Sequence, residues 1–227
     1  MTMRTSKQYP FYKLLVLCSL FVLITTFTGC IQEEITLDGV EIRDYQGERL
    51  SSVNDFRENS IKGSQYISEE NYTLHITGLV ENPQHFTYDH ILSSLKSYKK
   101  LVTLYCVEGW SVKILWEGVM VKDILETAKP LSAAKIIIFH ANDGYTTSFP
   151  IDYVFDHKII IAYKMNNVTI PPERGFPFQL VAESKWGYKW IKWITEIELS
   201  DNVLYEGYWE IRGYSNYADL NESFFGE

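Results

Sequence analysis

Leu104-Tyr105-Cys106-Val107-Glu108-Gly109-Trp110-Ser111 is the stretch on which the reading of this chain turns. The β-rich run from Leu101 to Cys106 predicts a strand, and its alternation sets Val102, Leu104 and Cys106 on one face. Gly109-Trp110 then turns the chain. A single thiol at such a strand end has two readings, a small buried hydrophobe or a thiolate that ligates a metal.

The chain has 3 cysteines, and the other two, Cys18 and Cys30, lie in the first thirty residues. There Arg4, Lys7 and Lys13 precede the apolar run Leu14 to Ile24, which small residues follow, the order of a secretory signal. The apolar run is shorter than the roughly 20 residues of a spanning helix. Thr28-Gly29-Cys30 resembles a lipoprotein signal, with Phe27 where Leu is preferred; the competing reading is an uncleaved N-terminal anchor. We expect a signal peptide over 1–29, a lipidated tether over 30–53 and one domain over 54–227, lipid-anchored at Cys30 to the outer face of the cell membrane. Cys18 leaves with the signal, so Cys106 has no partner for an intramolecular disulfide.

At 227 residues and 46% hydrophobic, with no internal repeat, the chain holds one domain with a substantial core. Aromatic residues make up 15%, which argues against disorder. The leader's three cations face no acids, and the remainder carries 18 basic against 29 acidic residues, a net of −11. Nucleic acid is therefore not an expected partner, and the acidic surface reads as a solvated face. The 5 histidines form no HExxH and have no CxxC companion, so zinc is not indicated. GxGxxG, phosphate-loop and GxSxG motifs are absent too.

Tyr72 to Val80 alternates apolar with polar, the period of a half-buried strand, and Glu81-Asn82-Pro83 ends it. Thr87 is a candidate N-cap for a short helix with Ile91, Leu92 and Leu95 on one face, and Lys96, Lys99 and Lys100 are expected in its last turn and just beyond. Val119 to Ala128 predicts a second helix, stopped by Pro130. Lys135 to His140 and Lys158 to Tyr163 are apolar on both faces and read as central strands, with a turn at Asn142-Asp143-Gly144. Phe178 to Ala182 and Ile191 to Leu199 complete the strands, and the tail Tyr205 to Tyr217 packs back on the sheet. Residues 31–55 are polar and weakly patterned and read as a tether with at most a short strand, so ordered packing is expected from about Phe56. The fold class is α+β, mixed β-sheets with short helices.

Five stretches in order, Cys106 to Ser111, Asp143 to Ser148, Ile170 to Leu180, Lys185 to Trp193, and Gly207 to Glu210 with Gly213-Tyr214, resemble the molybdopterin-binding domain of the sulfite oxidase family, above all its small single-domain members. The resemblance spans residues 54–219. It implies the sulfite-oxidase-like fold and a molybdenum-pterin cofactor, with tungsten as a variant. It also implies that Cys106 supplies the thiolate to the metal, a soft ligand suited to that role. Cofactor contacts are implied at Arg174, Gln179, Lys185 and Trp190-Ile191-Lys192, although the family's periplasmic methionine sulfoxide reductases carry Asn and Arg where this chain has Arg174 and Gln179. Asn54, Arg57 and Glu58 lie in a stretch that looks like one touching the pterin in that branch, or else form a surface loop. His140 either faces the cofactor or is a structural hydrogen bonder.

The resemblance implies an oxidoreductase that exchanges an oxygen atom with a small-molecule substrate. No haem motif accompanies it, so a separate electron-transfer protein is expected as partner. Trp110 and Trp116, with Lys113 alone for charge, disfavour sulfite. The alternative is a cofactor-free binding or interaction lipoprotein that retains the fold. Arg4 stands alone where family members exported with cofactor inserted carry a twin-arginine leader, and this feature favours that alternative.

Overall fold

Runs rich in β-branched and aromatic residues form twelve strands in the computed structural model, which describes residues 39–226. The expected signal peptide and Cys30 lie outside the described residues. In chain order the strands are β1 (Asp44–Tyr45), β2 (Glu48–Arg49), β3 (Thr73–Gly78), β4 (Gln84–Thr87), β5 (Ser97–Tyr105) and β6 (Ser111–Met120). Then follow β7 (Ile136–Ala141), β8 (Thr146–Pro150), β9 (Ile160–Met165), β10 (Val168–Thr169), β11 (Gln179–Val181) and β12 (Ile194–Ser200). Three short helices, α1 (Tyr88–Ser94), α2 (Val121–Ala128) and α3 (Ile151–Asp156), connect them.

Two five-stranded sheets carry the fold. One is antiparallel in the order β10-β9-β6-β5, with β11 also on β9. The other runs β4-β3-β12-β7-β8 and is mixed, because β12 lies parallel to β3 and antiparallel to β7. The apolar faces of both contribute to one core that includes Leu74, Ile76, Ile114, Trp116, Phe139 and Ile197. Leu74 and Ile76 are buried while Thr73, His75 and Thr77 are not, as their alternation predicts. Thr87 caps α1, its Oγ1 accepting from the His90 amide at 3.2 Å. No helix among the described residues is long and apolar enough to cross a membrane.

Three expectations need correction. Residues 40–53 are not a bare tether: β1 pairs with β2, Leu50 and Val53 are buried, and the Ser51 amide donates to Lys113 O at 2.9 Å. Glu41 makes this possible, its Oε1 accepting from the Val53 amide at 2.9 Å. Lys99 and Lys100 belong to β5, not to a helix end, and pair across the sheet with Glu117 and Glu183. The longest strand, β6, went unread because it loses alternation where it becomes buried on both faces from Ile114 to Trp116. Its Gly118 allows close approach of β9, since a Cβ there meets Ile161 O at 2.1 Å.

Candidate active site

Cys106 follows β5 directly and opens the turn into β6. Its amide donates to Trp110 O at 2.9 Å, and the Gly109 amide returns to Cys106 O at 3.0 Å, with Gly109 at φ 84°. Both ends of the turn are thus pinned by a hairpin in register from Ser97–Val119 to Tyr105–Ser111. A second backbone approaches from the opposite side. Trp186 bridges to Tyr105, and a Cβ at Gly187 meets Tyr105 O at 3.0 Å and Cys106 Cα at 3.4 Å.

The thiol is 7% exposed and lies on the wall of a cavity of about 380 Å³, within the range of ligand and cofactor sites. Burial pushes the thiol's pKa up, as does the Glu108 carboxylate. The Glu108 backbone, the Asn59 side chain, whose Nδ2 is 3.7 Å from Sγ, and the Arg57 charge pull it down. The net direction is upward, so the cavity itself favours the neutral thiol, and a thiolate there would need a cation to stabilise it.

The second wall comes from the segment after β10. Arg174 stacks over Phe56 at 5.2 Å and donates from Nε to Val53 O at 3.0 Å, which fastens the N-terminal segment across the cavity. Lys192 Nζ lies 3.2 Å from Glu58 Oε1 and 4.1 Å from the Trp193 ring centroid. Burial lowers the pKa of both cations. Gln179, on β11, is 3% exposed, and its Oε1 has no hydrogen-bond partner among the described residues. A buried acceptor left without a donor costs about 1–3 kcal/mol, so this atom calls for a donor from a ligand.

The third wall is the aromatic tail, which packs back as expected. Lys189 and Glu210 form a fully buried ion pair at 2.6 Å, and Glu210 also accepts from Thr147 Oγ1 at 2.9 Å. Tyr188 donates to Ser215 O at 2.6 Å and meets Tyr214 edge-on. The tail thereby brings Trp209 and Tyr214 to the cavity.

Of the residues singled out in the sequence, Cys106, Arg57, Glu58, Arg174, Gln179, Trp190, Ile191 and Lys192 line this one cavity. Asn54 and Lys185 do not. Asn54 is exposed, with its amide turned to Ser52 Oγ; Lys185 is held by Asp219 at 2.6 Å and lies over the Tyr153 ring. His140 also lies outside it, its Nε2 being 2.9 Å from Glu198 Oε2. Asn59 was missed, since neither periodicity nor a motif marks it, and Trp209 and Tyr214, although inside a resembling stretch, were not singled out as site residues.

A buried thiol, a buried carboxamide oxygen and several cations thus meet on one aromatic-walled cavity. The chain belongs to the oxidoreductase molybdopterin binding domain family, whose model matches residues 61–209. It is a molybdopterin-dependent oxidoreductase with the α+β fold of the sulfite oxidase family. It is 30% identical over 155 residues to the uncharacterized oxidoreductase YuiH of Bacillus subtilis, covering 68% of this chain and 77% of that protein. It is 27% identical to the protein-methionine-sulfoxide reductase catalytic subunit MsrP of Xanthomonas axonopodis, over 69% of this chain and 55% of the reductase. The sulfane dehydrogenase SoxCD from Paracoccus pantotrophus has a similar fold, with a TM-score of 0.59 and 23% identity over 65% of this chain and 41% of that one. The chain thus spans about half the length of the reductase.

Proposed function

We propose that the protein is a molybdenum-dependent oxidoreductase that transfers an oxygen atom to or from a small substrate and exchanges electrons with a separate protein. The observation that carries this reading is the Cys106 thiol on the wall of the cavity that also holds the orphaned Gln179 Oε1. When bound, the metal-pterin supplies a two-electron centre for oxygen-atom transfer.

The chain's own residues bind and shield. Cys106 contributes a soft thiolate, and the rigid hairpin turn fixes where that sulfur points. Gln179 Oε1 would accept a hydrogen bond from the bound group. Arg57 and Lys192 would supply positive charge to its anionic part, with Glu58 holding Lys192 in place. Trp110, Trp190, Trp209 and Tyr214 present apolar surface that would exclude water from the cavity. We further infer export and lipid anchoring at Cys30, supported by the order of charge, apolar run and small residues in the leader.

The test is elemental analysis of protein purified from its native host, with fluorescence detection of the released pterin. About one molybdenum or tungsten per chain is expected. Absence of both metals and of pterin from the native-host protein would refute the proposal and favour a cofactor-free binding protein.

A further inference from the structure

One face of the mixed sheet carries a partly buried cluster that the cavity does not use. His140 on β7 and Glu196 on β12 are register partners, and Glu198 follows two residues on, on the same face of β12. One ligand atom from each, a ring nitrogen and two carboxylate oxygens, all lie within 4.8 Å of one another. We propose that His140, Glu196 and Glu198 form a second metal site, one that takes a divalent transition ion of the zinc type with solvent completing its coordination.

Charge is the first argument. Both glutamates are partly buried, yet among the described residues the sole ion-pair partner of either is His140. The other contact of Glu196 is a neutral donor, Thr77 Oγ1 at 2.5 Å. Two carboxylates on one face without a lysine or arginine repel each other, and a cation between them relieves that repulsion. Ligand type narrows the choice of cation. An imidazole nitrogen beside two carboxylate oxygens suits zinc, cobalt or manganese, whereas calcium takes six to eight oxygens and magnesium a full octahedron, usually rich in water.

The scaffold is the second argument. The three ligands stand on adjacent hydrogen-bonded strands, so little ordering is needed on binding. The ladder between β7 and β12 shifts register between Ile194 and Glu196, and such a bulge re-aims the side chain beside it. Glu196 is also flanked from β3 by its other register partner, His75, which is occupied at Nδ1 by His85 Nδ1 at 2.8 Å. Of the two histidines in register with Glu196, His140 is the one whose ring nitrogen clusters with both carboxylates.

The position gives the ion a role. Three residues beyond His140, Asp143 lines the cavity, and Trp193, another wall residue, immediately precedes β12. An ion joining His140 to Glu196 and Glu198 staples together the two strands that deliver these residues, at the point where their ladder is broken.

The experiment uses untagged full-length protein in a Cys106→Ser background, so that no signal arises from the cavity thiol. Zinc is titrated calorimetrically, and cobalt serves as the spectroscopic probe. One saturable zinc per chain is expected, with affinity lowered at least about tenfold by His140→Ala and by the near-isosteric Glu198→Gln, and within twofold of the parent in His85→Ala. Far-UV circular dichroism checks that each variant is folded. Absence of saturable binding below millimolar zinc overturns the proposal, as does parental affinity in both Glu198→Gln and His140→Ala, or a loss confined to His85→Ala.

Discussion

Lys189 and Glu210 face each other at 2.6 Å with no solvent on either side chain, and they join the turn beside Cys106 to the tail that closes the cavity. Lys189 Nζ also reaches Asn216 Oδ1 at 3.2 Å. Because one partner alone leaves an uncompensated buried charge, Lys189→Met should cost about 3–5 kcal/mol. The double variant Lys189→Met/Glu210→Leu should recover most of that. Denaturant unfolding of the four proteins of the cycle checks it, and a near-wild-type single variant would show that the pair is not the tail's fastening.

Cys106→Ser exchanges a soft thiolate for a hard oxygen of nearly the same size. Redox turnover should fall at least about 100-fold, while stability changes by only about 1–3 kcal/mol. X-ray absorption at the metal should report one sulfur fewer. Unchanged sulfur coordination together with retained turnover would remove the cysteine from the site.

Gln179→Leu should act with opposite signs in the two forms of the protein. Without cofactor, deletion of the orphaned acceptor leaves stability unchanged or raises it by about 1 kcal/mol. With cofactor, the lost hydrogen bond should weaken pterin retention by roughly tenfold. Thermal unfolding of both forms separates the two effects, and a loss of stability in the cofactor-free form would mean that Oε1 has a partner inside the protein.

Alkali should unfold the protein through its phenols. Burial raises the pKa values of Tyr72, Tyr88, Tyr145, Tyr153 and Tyr188 above the usual 10.0. With the folded value above the unfolded one, the folded state holds more protons above pH 10, so stability is full below that pH and falls as pH rises beyond it. The depressed Lys189 and Lys192 act in the opposite sense, but only up to about their unfolded value of 10.5. Absorbance at 295 nm should therefore show a group of tyrosines that ionise only on unfolding, in contrast to a single titration near pH 10.

Cys30→Ser should move the domain from the membrane fraction to the soluble fraction and leave its metal content unchanged. Mass spectrometry of an unmodified Cys30 with its leader intact would exclude lipidation.

β3 was legible by its alternation, the helix capped by Thr87 by the spacing of Ile91, Leu92 and Leu95, and β7 and β9 as unbroken β-branched runs apolar on both faces. β6 was not, because it starts with alternation, loses it from Ile114 to Trp116 and crosses a bulge between Glu117 and Gly118, so neither pattern runs its length. The candidate site was legible through residue type at turns, since Cys106, Arg174, Gln179 and Lys192 all line one cavity. Lys185 shows the limit of that reasoning, because a basic residue four places beyond β11 is claimed by whichever acid the tail brings, here Asp219. Long-range partners of this kind leave no local trace in the sequence.

The tail's place in the cavity wall has a consequence for timing. Cys106 sits beside β5 and Gln179 on β11, whereas Trp209 and Tyr214 follow the last strand, β12, in the chain. A chain made from its N-terminus therefore completes every strand before the residues of this wall exist, and the Lys189–Glu210 seam cannot close before Glu210 has been made.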